Sequence, residues 1–350
     1  MSYKYNLVNY CEINEYASKA YSAIHGVSEK KNLVDVTDET IIEKLKGKRI
    51  DLITHGSPCQ DMSIAGKQNG ADKGSGTRSS LLWNSLEIIK NTNPKFVIWE
   101  NVANALAPQH KHNVDEYIKE LDDSGYNSYC NVLNAADYGI PQARKRVFIV
   151  SVKKEIDTGF NIPEKKEIKK SLKGLSDFRS CDNITKIFLN TYKDKKDVNA
   201  TYDSFMTYVR NLPTTKGVGK KKLGLSHFNE YDGVTTLEGI TGTLSCRNVQ
   251  NYCLKHLCDD GIYKPSPKMC YRLMEFSDDD FEKSRVALND NDHQLYDRAG
   301  NSIVVDVPLA IYRELFKDKK EMLEDFNVLS LFSGIGAFEK ALDEYYKEVM

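Results

Sequence analysis

The sequence predicts an α/β protein, built on a mostly parallel, doubly wound sheet and carrying a second, smaller domain. Three observations carry this expectation. Short β-rich runs alternate with helical stretches through the first 150 residues, which is the cadence of βαβ units with helices on both sheet faces. A length of 350 residues suits one large domain with an insertion, or two average domains. From about residue 153 the texture turns lysine-rich and weakly periodic, as a separate module would.

Taken in order, the candidate strands are Tyr5–Asn9, Leu33–Val36, Ile50–Thr54, Phe96–Trp99, Asn127–Leu133 and Val147–Val152. Between them, Glu15–Ile24, Thr40–Leu45, Ser80–Asn91 and Asn113–Ser124 have helical spacing of apolar residues. Near the end, Asn327–Leu331 reads as one more strand, running into a Gly-x-Gly turn and a helix. The runs EKKEIKK at 164–170, KDKKD at 193–197 and KGVGKKK at 216–222 mark the second domain. No internal repeat is visible.

A composition of 40% hydrophobic and 28% charged residues excludes disorder and low complexity. The net charge of −1 conceals an asymmetry: residues 151–250 hold 18 Lys and Arg against 12 Asp and Glu, a balance of +6 that leaves −7 for the rest. A solvated lysine face would look the same. With no leader-like N-terminus and no apolar run near the ~18 residues that span a bilayer, a cytoplasmic protein without membrane contact is expected. Cys11, Cys59, Cys130, Cys181, Cys246, Cys253, Cys258 and Cys270 are too scattered for a disulfide framework, so free thiols are expected.

Chemistry gathers at strand ends. Phe332, Ser333, Gly334, Ile335 and Gly336 form a strand–turn–helix junction of the kind that brings backbone amides to a nucleotide-like cofactor. An acid from the end of the next strand usually follows. Only 14 residues come after Gly336, but Glu12, just past the strand Tyr5–Asn9, lies 26 residues on when counted through the termini. That spacing makes sense if the fold is circularly permuted. Ser57-Pro58-Cys59-Gln60 follows the strand Ile50–Thr54, and Cys59 there is a candidate nucleophile. Glu100-Asn101-Val102 ends the strand Phe96–Trp99 in the same way. Arg144 and Arg146, two apart in an extended segment, are expected to face one side toward an anionic or carbonyl-bearing substrate. Taken singly, each motif has a plain alternative: a linking turn, a buried thiol, a helix-start carboxylate, a solvated charge.

Together these residues resemble the C5-cytosine DNA methyltransferases of bacterial restriction-modification systems, over nearly the whole chain except its basic middle. FSGIGAF resembles the cofactor loop and GSPCQDMSIAGKQNG the nucleophile loop; GTRSSLLW, WENV and DYGIPQARKRVFIV resemble the segments that follow. PSPKMCYRLMEFSDDDF and RAGNSIVVDV resemble the last two motifs. The linear order departs from the family, because the cofactor loop that usually opens these chains closes this one. Met269 and Glu275 also depart, standing where the family tends to have an acid and a glycine.

The resemblance implies a Rossmann-like, S-adenosylmethionine-dependent methyltransferase sheet, circularly permuted, with a target-recognition domain. Its implied extents are 1–165 and 291–350 for the catalytic domain and 166–290 for DNA reading. It implies Cys59 as nucleophile, Glu100 as its acid partner, and Arg144 helping to hold and polarise the base, with Arg146 a further catalytic candidate. S-adenosylmethionine, leaving as S-adenosylhomocysteine, would lie among Phe332–Gly336, Glu12, Ile13, Asp35, Val36, Pro58, Leu81, Asn301 and Ser302. Gln60, Ser63 and Asn101 would touch the substrate. Double-stranded DNA is the implied partner, read at one short sequence by a monomer, with a cognate endonuclease as a further partner and no metal. Three rivals are open: transfer RNA as substrate, a silent DNA-binding subunit, and a nicotinamide oxidoreductase with the same glycine turn. Cys246, Cys253, His256, Cys258 and Cys270 could suggest zinc, but they lack a Cys-x2-Cys pair.

Overall fold

The computed structural model describes residues 5–64, 66–178, 184–215, 219–225, 233–244 and 255–349. These form two compact units, one of 1–134, 145–164 and 307–350 and the other of 135–144 and 165–306. The sequence reading kept 135–144 and 291–306 with the catalytic part; here both belong to the second unit.

The first unit holds a six-stranded sheet of β1 (Asn6–Cys11), β2 (Leu52–His55), β3 (Phe96–Val102), β4 (Tyr126–Asn134), β5 (Lys145–Lys153) and β6 (Asn327–Leu331). Its order is β1-β6-β2-β3-β5-β4. Strand β6 runs parallel to both neighbours, with Leu331 opposite Cys11 of β1 and His55 of β2. Its residues Val328 to Leu331 are all buried, the uninterrupted pattern of a strand covered on both faces. Strand β5 is antiparallel to β3 and β4, so the sheet is mostly parallel with one reversed strand. The named helices are α1 (Glu15–His25), α2 (Ile41–Leu45), α3 (Leu82–Thr92), α4 (Lys111–Asp123), α5 (Asp306–Leu315, in this unit from Val307) and α6 (Ala337–Val349). Helix α1 starts where the Asn14 side chain accepts the Ala17 N–H and stops at Gly26, φ 62°. One core cluster runs under these elements, including Ile53, Leu86, Ile89, Val97, Trp99, Tyr117, Ile149 and Leu329.

The expected strand Leu33–Val36 does not form. Only an isolated bridge between Tyr10 and Asn32 is made there, and Val34 turns left-handed at φ 65°. The Asn32 side chain accepts the backbone N–H groups of Glu12 and Val34 and donates to the Glu12 carbonyl. Side-chain bonds thus replace a ladder.

In the second unit, strands Gly261–Tyr263, His256–Cys258, Gly233–Thr236, Lys220–Lys222 and Thr214–Thr215 form a sheet in that order. Its own core includes Phe205, Met206, Val209, Leu223, Val234 and Ile262. Met269 is fully buried, and Glu275, standing at the family's glycine position, has φ 65°. Among the described residues, no helix is long and apolar enough to cross a membrane.

Candidate active site

Three parallel strands of the first unit, β6, β2 and β3, end in the loops that the sequence singled out. After β6 the chain must reverse tightly into α6, and it does so through Phe332, Gly334 and Gly336, all left-handed at φ 53°, 56° and 79°. At Gly336 a side chain is barred twice, since an added Cβ would also lie 2.0 Å from His25 Nε2. The turn is pinned from the N-terminal side. The Gly334 N–H donates to Glu12 Oε2 at 2.9 Å, the Ser333 N–H to the Cys11 carbonyl at 3.1 Å, and His25 Nε2 lies 3.0 Å from the Ile335 carbonyl. Ile335 is buried beneath it, while an added Cβ at Gly334 would meet open space. Next to Glu12, the Ile13 side chain is 69% exposed. Asp35 sits in a turn, its carboxylate accepting the N–H and hydroxyl of Thr37, and Val36 is buried.

The loop after β2 is built around Ser57. Trp99 Nε1 donates to its hydroxyl at 2.9 Å and Asn101 Nδ2 to its carbonyl at 2.9 Å, so β3 holds the approach to Cys59 rigid. The Ser79 hydroxyl donates to the Pro58 carbonyl at 2.8 Å. Beyond Cys59 the N–H groups of Met62 and Ser63 turn back onto its carbonyl. The turn closes so tightly that a Cβ at Gly66 would fall 1.8 Å from the Gln60 carbonyl oxygen. Cys59 and Ser63 are half-buried, and Gln60 is exposed. Leu81, half-buried, packs against the core.

Glu100, one residue past Trp99, reaches toward that loop: an added Cβ on Gly56 would lie 3.3 Å from its Oε2. Its other oxygen meets Arg146 Nε at 3.0 Å, with the two side chains only 12% and 18% exposed. Arg144 lies in the second unit, where its guanidinium donates to the carbonyls of Leu244, Gly300 and Ser302. Of the expected cofactor residues, Asn301 and Ser302 also lie in the second unit; Asn301 ends a helix and Ser302 is buried.

Burial pushes up the other described thiols: Cys11 to about 12, Cys258 to about 11, and Cys130 and Cys270 upward as well. His55, under the nucleophile loop, is held at about 3 by burial, with Nε2 2.8 Å from the Tyr117 hydroxyl. No metal-binding cluster occurs among the described residues, and Cys246 and Cys253 of the zinc alternative, with Cys181, lie outside them. The sequence gives no role to Trp99, His25 and Ser79, nor to Ser57 beyond its place in the loop. Their signal is faint, because they act through contacts that only the fold creates.

Comparison with known proteins identifies the family. The profile of the family described as C-5 cytosine-specific DNA methylase matches residues 1–317. The type II methyltransferase M2.ScrFI of Lactococcus lactis subsp. cremoris is 31% identical over 292 residues, covering 83% of this chain and 72% of that one. M.HhaI of Haemophilus parahaemolyticus is 25% identical over 297 residues, covering 85% and 83%. The structure of the Entamoeba histolytica methyltransferase EhMeth superposes with a TM-score of 0.59 at 14% identity, covering 89% of each chain, a likeness of fold. Matched by the family profile along 1–317 and by a 31% identical relative along most of its length, the chain belongs to the C-5 cytosine-specific DNA methylase family, and its activity is transfer of a methyl group to C5 of cytosine in DNA.

Proposed function

We propose that the chain is a circularly permuted member of this family in which Cys59 attacks the target cytosine while Glu100 and Arg146 activate it. The observation that carries this reading is the Glu100–Arg146 pair set against Gly56, three residues before Cys59. The resemblance gives Arg144 the task of holding and polarising the base; the contact of Arg146 with Glu100 supports a part for Arg146 in the same activation. Strand β6 supports the permutation: last in the chain, it lies between β1 and β2, and the family profile ends at residue 317, before it.

Family membership implies S-adenosylmethionine as donor, and the first unit's residues suit it. The open turn Phe332–Gly336, the carboxylates of Glu12 and Asp35, exposed Ile13, and Val36, Pro58 and Leu81 would hold it; Asn301 and Ser302 rest on the resemblance alone. When bound, S-adenosylmethionine supplies an electrophilic methyl group on a sulfonium. C5 of cytosine is a poor nucleophile until the ring loses its aromaticity. The Cys59 thiolate would add to C6, and the electron pair displaced into the ring would be met by a proton held between Glu100 and N3, assistance worth ~10²–10⁴-fold. Arg146 would hold the Glu100 carboxyl in place. After C5 is methylated, loss of its proton would expel Cys59. No step calls on a metal ion.

Attack from above the ring is blocked inside a stacked duplex, so the base must flip out, at a cost of a few kcal/mol. The loop carrying Gln60 and Ser63, with Asn101 behind it, would then face the flipped base. The second unit, basic through 165–250, would read one short duplex sequence by phosphate and base-edge contacts. A restriction-modification setting fits the type II name of the Lactococcus relative, and an orphan or phage role without a partner endonuclease fits as well. A monomer in a bacterial or phage-infected cytoplasm completes the reading. Cys59→Ser, incubated with labelled donor and cytosine-containing duplex, is expected to lose methyl transfer. Near-wild-type turnover would overturn the assignment.

A further inference from the structure

Glu339 stands in the first turn of α6, three residues past Gly336, and is 2% exposed. Its carboxyl faces the Ser330 hydroxyl of β6, its own backbone N–H and the Tyr21 hydroxyl of α1, with neither oxygen, nor the Tyr21 hydroxyl, at full hydrogen-bonding geometry. The titratable groups around it are Tyr5 ahead of β1, Tyr21 of α1, Tyr312 of α5 and Asp343 one turn along α6. The groups acting on it most strongly include no cation. Burial raises its pKa to about 7, so the protonated form is the one the site accommodates. An apolar residue of similar size would fill this space without the burial cost of a carboxyl, and the mechanism above makes no use of it.

A line of contacts runs from this carboxyl to the cofactor turn. The Tyr21 ring stacks on Tyr10 with centroids 4.2 Å apart, and His25 leans on Tyr21 at 4.6 Å. His25 in turn reaches the Ile335 carbonyl at 3.0 Å and bounds the space at Gly336. An ionised Glu339 would demand the Tyr21 hydroxyl as a donor, and the ring against which His25 rests would shift.

We propose that Glu339 is a positioning residue that acts through Tyr21 and His25 to set the glycine turn, so that affinity for S-adenosylmethionine falls as pH rises through neutrality. This rests on the cofactor reading above. The test is calorimetric titration of the full chain with S-adenosylmethionine from pH 6 to pH 8.5. Wild-type Kd is expected to rise on the order of fivefold across that range, while Glu339→Gln stays flat near the low-pH value. Tyr21→Phe removes only the linking hydroxyl and is expected to flatten the profile too, which covers a Glu339 variant that folds poorly. A merely structural role would lower Tm and leave the slope alone. An unaltered slope in both variants, or one that vanishes only when His25 is replaced by Asn, overturns the inference while the cofactor reading stands. A wild-type protein that binds no donor at any pH overturns both.

Discussion

The thiols of Cys11 and Cys270 are buried and held protonated at neutral pH, whereas Cys59 sits half-buried on a loop at the head of a parallel strand. Brief alkylation is therefore expected to label Cys59 ahead of those two, read by peptide mass spectrometry; equal labelling would remove its claim to distinction. The two arginines separate as sharply. Arg146→Ala is expected to lower kcat by about 10²-fold or more, because Glu100 loses its guanidinium, and to lower Tm as well, because that carboxyl is only 12% exposed. Arg144→Ala strips donors from three buried carbonyls and is expected to cost about 2–4 kcal/mol of stability, measured by urea unfolding. Sequence reasoning saw both residues and gave them one task. The period-two rule behind that judgement holds only inside a strand, and β5 begins at Lys145, after Arg144. Cys59, Glu100 and the glycine turn were legible because each sits at a strand's carboxyl end, a position visible in local pattern.

At the level of elements, apolar runs marked nearly every strand of the sheet, but not their direction. RVFIVSV looks the same whichever way it runs, and β5 is antiparallel. Leu33–Val36 had the right composition and failed because Asn32, one residue earlier, bonds sideways to Glu12. Gly336→Ala combines a left-handed backbone with contact against His25. It is expected to lower stability by about 1–3 kcal/mol and weaken donor binding; an unchanged Tm and Kd would show the turn to be pliable. Asp51 fastens β6 to its neighbours, accepting from the Asn327 N–H at 3.0 Å and pairing with Lys95 at 3.0 Å. Burial alone would raise its carboxyl, but Lys95 and Asn327 together outweigh that and hold it below the usual value. A depressed carboxylate stabilises the fold above the unfolded pKa of about 4 and loses that contribution as pH falls through the folded value. Asp51→Asn should consequently flatten the acid limb of a stability profile taken by denaturant unfolding between pH 3 and 6.

For the whole molecule, a net charge of −1 divides into +6 over 151–250 and −7 elsewhere. If the basic part meets phosphates, duplex affinity is expected to fall steeply as salt rises from 50 to 200 mM. A shallow log–log slope would assign those lysines to solvation. That a second module exists was readable from texture, since a change in charge and periodicity is a local property. Its edges were not: residues 135–144 join it across 145–164 of the first unit, and only folding brings such separated stretches together.

The place of β6 in the sheet has a consequence for how the protein is made. On the ribosome, residues 103–326 emerge between β3 and the strand that belongs between β1 and β2. At about 5–20 residues per second this takes roughly 10–45 s. For that time β1 and β2 lack their shared neighbour, and the nascent first unit presents two parallel strand edges that want the same partner. Such edges are templates for unwanted strand pairing until the last strand arrives. Activity should switch on only after synthesis passes Gly336, rather than grow in as the rest of the chain appears.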